Sequence, residues 1–262
     1  MQSADEKSLT FELLAAIRPV DGDAPLAWLR AGWADLRAHP APSLAYGAAF
    51  ALCGWLLAAT LDHATALLSA LVTGMLLVGP FLALGLYDLS RRRERGEPVS
   101  FFASALAWRH NVSNIGLFAA VLAVVLMVWA RASMVIFAVF YEGAMPSFSG
   151  FVHAFSALDN LEFVVFYLAV GGFFATLVFA VSVISVPLML DRRVDAINAA
   201  IASATALARN PGAMLGWAGS IVFLTALGFA TGFVGLVVTM PLVGHATWHA
   251  YRALMPEPPS GV

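Results

Sequence analysis

Two histidines, His245 and His249, stand four residues apart near the end of the last apolar run of this 262-residue chain. On a helix that spacing projects both imidazoles from one face. Two imidazoles joined by one or two carboxylates can hold a divalent metal. Counting eight residues on from Pro80, Pro187 and Pro241 reaches Asp88, Asp195 and His249; counting four reaches Leu84, Asp191 and His245. His245, His249, Asp191, Asp195 and Asp88 therefore form one candidate cluster, expected to converge at a single rim of the molecule. Three chemistries are open to it. The first is a structural latch, because helix ends need partners for their last carbonyls and histidine there suits the helix dipole. The second is a divalent-metal or haem site, and the third a ligand or proton site. A zinc-protease motif would read His-Glu-x-x-His. Here Ala246, Thr247 and Trp248 intervene, so no general base stands between the histidines. Haem wants an axial histidine facing an apolar cleft, and two histidines on one helix cannot clamp one haem from opposite faces. The latch is the leading expectation, with no cofactor.

The elements that carry these residues must be membrane helices. Hydrophobic residues make up 61% of the chain and charged residues only 11%, against about 25% charged in soluble domains. Residues 40–61, 63–87, 111–130, 163–190 and 210–251 contain no Asp, Glu, Lys or Arg. Such runs match a hydrocarbon core about 30 Å thick at 1.5 Å per residue. Helices span lipid because they satisfy their own backbone groups, and unbroken apolar runs exclude alternating barrel strands. Spans are expected at Ser43–Leu61, Ala64–Tyr87, Ser113–Ala130 and Glu162–Leu190. The final run is too long for one crossing, and Gly228, Gly232 and Gly235 divide it into Ala213–Ala230 and Thr231–Tyr251. Every basic residue except Arg131 then falls on one side, which the positive-inside rule makes cytoplasmic. Both termini are expected on that side. Met1–Val20 lacks the pattern of a signal peptide, so the first span is expected to serve as an internal signal-anchor. A net charge of −2 suggests no nucleic-acid partner, and Cys53 alone cannot form an intrachain disulfide.

Each pair of spans is introduced by an amphipathic surface helix. The first is Pro25–Ala38, with Asp23 as its cap and Leu26, Leu29, Trp33 and Leu36 as its apolar stripe. The second is Phe101–Arg109 with Ser100 as cap. The third is Val194–Arg209 with Ile197, Ile201, Ala204 and Ala208 on one face. The fold class is thus all-α membrane protein: six transmembrane helices as three internal repeats, each an interfacial helix plus a helix pair. The repeats cover about 25–95, 100–193 and 194–254, between cytoplasmic tails 1–24 and 255–262. Residues 132–161 are an outer insertion, either interfacial or re-entrant, with a short helix around Phe151–Ala157. The run Arg91-Arg92-Arg93-Glu94-Arg95 is expected to fix topology and meet anionic lipid.

Four segments together carry a resemblance. They are Gly32-Trp33-Ala34-Asp35-Leu36 leading through His39-Pro40 into Ser43-Leu44-Ala45-Tyr46-Gly47; Gly79-Pro80 before Gly85-Leu86-Tyr87-Asp88; Val186-Pro187-Leu188-Met189-Leu190-Asp191-Arg192; and Gly244-His245-Ala246-Thr247-Trp248-His249-Ala250-Tyr251-Arg252. Over roughly Ile17 to Leu254 the chain resembles an uncharacterised family of bacterial integral membrane proteins, a domain of unknown function. Some of its members are labelled cytochrome c oxidase subunits. The resemblance implies an inner-membrane location. The chain has half the spans of a haem-copper oxidase catalytic subunit, and most of its histidines lie near membrane edges.

No GxGxxG, Walker A or GxSxG motif is present, and the span centres hold no charged residue. Ion-coupled transporters keep ionisable groups at that depth. The expected function is therefore a non-enzymatic accessory or assembly partner in the inner membrane, in contact with lipid and in one version with a respiratory complex. The alternatives are a small channel or transporter-like bundle lined by Thr73, Ser182, Ser185, Thr225 and Thr239, and a metal- or haem-handling protein.

Overall fold

The computed structural model describes residues 11–61, 82–140 and 161–256. Their regular structure is helical throughout, with no strand among the described residues. Four helical stretches there are long and apolar enough to cross a membrane: Pro40–Ala59, Phe101–Phe140, Leu161–Asp191 and Pro211–Ala230. Most of the expected second span, with Pro80, lies outside the described residues. So does the insertion from residue 141 to 160, including its expected short helix.

Helix α1 (Ala24–Ala38) opens with Pro25 in its first turn, where a missing N–H costs nothing. Asp23 precedes it but its side chain makes no capping hydrogen bond, contrary to expectation. His39 leaves the helix at φ −132°, ψ 66°, and Pro40 restarts it as α2 (Pro40–Leu61). Helix α3 covers residues 82–94. The expected second surface helix is broken in two: α4 (Phe101–Ala105), capped by Ser100 Oγ on the Ala103 amide, then a 3-10 turn over Ala107–Asn111. Helix α5 (Val112–Phe140) runs 29 residues, well past the expected end at Ala130, so Met134–Phe140 simply continue it.

The expected fourth span divides at Val183–Ile184 into α6 (Leu161–Ser182) and α7 (Ser185–Asp191). Pro187 explains the break: its ring clashes with the carbonyl four residues back, that of Val183. Helix α8 (Ala196–Arg209) follows, capped by Asp195, then α9 (Pro211–Ala230) and α10 (Leu236–Leu254). The last two meet at a turn with positive φ at Gly232 (64°) and Phe233 (68°), where the glycines divide the run as expected. Pro241 stays inside α10.

Helix α10 is the hub. It packs on α1, α2, α7 and α9 and is buried on nearly every side. Its approach to α1 and α2 is made by glycines. A Cβ on Gly32 would lie 2.7 Å from the Ala246 nitrogen, and one on Gly47 would lie 2.0 Å from the Val237 carbonyl oxygen. That oxygen is the acceptor Pro241 cannot bond, one turn on. Small residues let helix backbones meet in this way. Helices α5 and α6 pair beside the hub through stacked rings, including Trp129 on Tyr167 and Phe137 on Phe163.

The surface helices turn several of their large apolar residues outward. On α1 the buried residues are Pro25, Trp28, Gly32, Asp35 and Leu36, while Leu26 and Trp33 are exposed. On α8 Ala196, Ala199, Ala202, Ser203 and Ala206 are buried, and Ile197 and Ile201 are exposed. In water the large residues would turn inward. In a bilayer they can face acyl chains, which leaves small residues to pack helix on helix.

Candidate functional site

The inward face of α1 carries a carboxylate. Asp35 lies at helical spacing from Trp28 and Gly32, and its side chain is buried against α3 and α10. Its Oδ2 accepts from Ser90 Oγ at 2.5 Å and pairs with His249 Nε2 at 2.9 Å. Its Oδ1 is paired with Arg93. His245, almost wholly buried, stands one turn before His249 and is held at both nitrogens. Nδ1 lies 2.7 Å from Ser90 Oγ and Nε2 lies 2.9 Å from Ser43 Oγ.

The hydroxyl hydrogens set the tautomer. Ser90 gives its single hydrogen to Asp35, so towards His245 it can only accept, and the neutral ring carries its proton on Nδ1. Nε2 is then an acceptor, and the single Ser43 hydrogen is shared between it at 2.9 Å and the His39 carbonyl at 2.8 Å. The order serine, histidine, serine, carboxylate is that of a polarised relay. Ser43 has no exposed surface, however, so this relay does not present a nucleophile to a substrate. It joins α1, α2, α3 and α10 at one point.

Burial pushes the Asp35 carboxyl up. Hydrogen bonds from His249 and Ser90, with the charges of the two histidines, outweigh that and hold it below its ordinary value of 3.8.

The remaining members of the expected cluster lie near by but do not join it. Asp88, fully buried, is neutralised on its own helix by Arg91 at 2.5 Å and Arg92 at 2.6 Å. Asp191, at the end of α7, receives Arg95 at 2.8 Å and the Tyr251 hydroxyl at 2.7 Å, with Arg252 at 3.7 Å. Asp195 caps α8 through the amides of Ile197 and Asn198. Burial raises its pKa, but these bonds and the Asn198 side chain leave it lowered overall. Convergence of all five on one point is therefore replaced by four separate anchors: the histidine pair on Asp35, and Asp88, Asp191 and Asp195 each with its own partners. Among the described residues no three His, Cys, Asp or Glu side chains are grouped to hold a metal ion.

The arginine run is spent on these anchors. Arg91 also donates to the Leu190 carbonyl at 3.3 Å, and Glu94 accepts from Trp248 Nε1 and Arg252 Nε, each at 2.9 Å. The end of α3 is thus a strap stitched to α1, α7 and α10. The residues that sequence reasoning missed are Asp35, Ser90 and Ser43. Asp35 had a signal: an acid at the i+7 position from Trp28 across Gly32, on an apolar helix face.

Residues 67–191 match the model of a family described as Predicted integral membrane protein (DUF2189). The chain is an integral membrane protein. The match covers just under half of its length and fits the kind of family its sequence resembles. It takes in Gly79 to Asp88 and Val186 to Asp191, and it ends before the block from His245 to Arg252 that carried the most specific part of the resemblance. No curated protein and no solved structure matches the chain.

Proposed function

We propose that this protein is a non-enzymatic, six-span protein of the bacterial inner membrane with both termini cytoplasmic, acting as an accessory or assembly partner of another membrane protein. The carrying observation is the state of the polar cluster around Asp35. Asp35, Ser90, His245 and Ser43 each bond to partners within the chain, and the acids around them are met by Arg91, Arg92, Arg93 and Arg95. Such a cluster locks helices together and offers its bonds to no substrate.

Two observations support the three-unit architecture. The order of surface helix followed by outgoing apolar helix recurs as α1–α2 and α8–α9. The junction residues adopt nearly the same conformation, φ −132°, ψ 66° at His39 and φ −129°, ψ 51° at Asn210. The middle unit differs here: its 3-10 turn runs straight into α5, with Val112 helical at φ −52°, ψ −48°.

The channel reading has less support. Ser182 and Ser185 turn their hydroxyls onto their own helix, to the carbonyls of Val178 and Val181, and Thr73 lies outside the described residues. A divalent metal or haem at His245 would have to displace Ser43 or Ser90.

Two measurements test the proposal. Gentle solubilisation of the tagged chain is expected to co-purify a membrane-protein partner, a respiratory component in the narrower version. Failure to enrich any partner, with respiration unchanged on deletion, defeats it. His249→Ala is expected to lower the melting temperature with bound metal unchanged; a stoichiometric metal or haem absorbance lost in that variant defeats the latch.

A further inference from the structure

A cavity of about 580 Å³ lies beside α10, lined mainly by α3, α5 and α6 with residues of α2, α7 and α9. The walls are apolar and include Leu122, Trp129, Phe174, Phe179, Ile221 and Val243. Three polar side chains with hydroxyls line it, Tyr87, Ser182 and Thr247. Ser182 donates to the Val178 carbonyl at 2.6 Å and Thr247 to the Val243 carbonyl at 2.8 Å, so both of these hydrogens are committed within the chain. Water needs two to four polar partners to occupy a cavity. An empty apolar space of this size forfeits the dispersion contacts of its whole lining. Pockets of about 300–1,000 Å³ suit a drug-sized apolar ligand.

Length narrows the choice. Along α6 the lining runs from Gly171 to Ser182, about 16 Å at 1.5 Å per residue. That is about half of the 30 Å hydrocarbon core, the depth of one leaflet. The cavity is open rather than sealed, so a chain can enter it. We propose that it holds one acyl chain of a membrane phospholipid, bound as a fixed part of the fold. The headgroup contributes little to selection, because the nearby arginines are engaged by Asp35, Asp88 and Asp191.

The test is native mass spectrometry of the full-length protein exchanged into lipid-free detergent. The wild type is expected to keep one phospholipid. Ala83→Phe and Ala175→Phe, which project a ring into the cavity, are expected to melt cooperatively and to lose the lipid. Val222→Phe, on the exposed face of α9, is expected to keep it. In a second measurement, stripped wild-type protein is titrated with phosphatidylglycerol in detergent. Its melting temperature is expected to rise and saturate near one lipid per chain. A wild type without retained phospholipid, a folded cavity-filled variant that retains it, a retained compound of another class, or a titration without saturation would each overturn the proposal.

Discussion

At the scale of single residues, Asp35 is the point on which the rim turns. Its carboxylate satisfies a buried serine, a histidine and an arginine from two other helices. Replacing it by alanine leaves those donors facing an apolar helix side. Removing one partner of a buried polar group costs about 1–3 kcal/mol, and more where charge is stranded. Arg93 keeps partial access to water, which places Asp35→Ala at about 2 kcal/mol. The measurement is a melting-temperature drop of roughly 4–8 °C in detergent. The pH dependence has a definite sign. A carboxyl held below its ordinary value stabilises the fold while ionised. The contribution is complete above the unfolded value near 3.8 and fades as pH falls through the lower folded value. Asp35→Asn is expected to remove that acid limb and to leave the pH profile above about 5 unchanged in shape.

At the scale of elements, the hub depends on backbone-to-backbone contact. Gly47 rests where a Cβ would lie 2.0 Å from the Val237 carbonyl oxygen, and backbone cannot give way as a flexible side chain can. Gly47→Ala must separate α2 from α10 and with them Ser43 from His245. It is expected to destabilise by about 1–3 kcal/mol, as overpacking does in tight cores. Gly116, on α5, has open space at its Cβ position. Gly116→Ala is expected to be neutral or to stabilise by up to about 1 kcal/mol through helix propensity alone. Thermal melts of the two variants check the contrast; equal effects would show that α2 and α10 are not in close contact. The outward faces of α1 and α8 belong to this scale too. Hydrophobic periodicity found both helices correctly. It left open whether the apolar stripes meet lipid or the bundle; Leu26, Trp33, Ile197 and Ile201 are exposed, as residues facing lipid can be.

At the scale of the whole molecule, the charge asymmetry and the rim network point the same way. The arginines of the side expected to be cytoplasmic are also those that neutralise Asp35, Asp88 and Asp191. The topology is therefore tied to the latch. A reporter fused after Glu97 is expected to read inside, and one fused after Ser147, beyond the described residues, outside. The reverse result at either position overturns the six-span arrangement. Four membrane-length apolar helices were legible from charge-free runs, and the ends of α9 and the split before α10 were legible from proline and glycine. The end of α5 was not, because an apolar helix carries no local stop signal once it passes the membrane edge.

Composition alone determined that this is a helical membrane protein, because lipid leaves a charge-poor chain no other way to satisfy its backbone. Spacing alone placed His245 and His249 on one helix face. Only the tertiary structure decided what they meet. Matched positions after three prolines suggested Asp88, Asp191 and Asp195, yet Pro187 breaks its helix while Pro241 does not, so equal counting leads to unequal places. The partner is Asp35, which is distant in sequence and brought near by Gly32 packing on Ala246. Hydrogen bonds of a few ångströms are fixed by helix crossings, and crossings are set by side-chain volumes summed over the whole bundle.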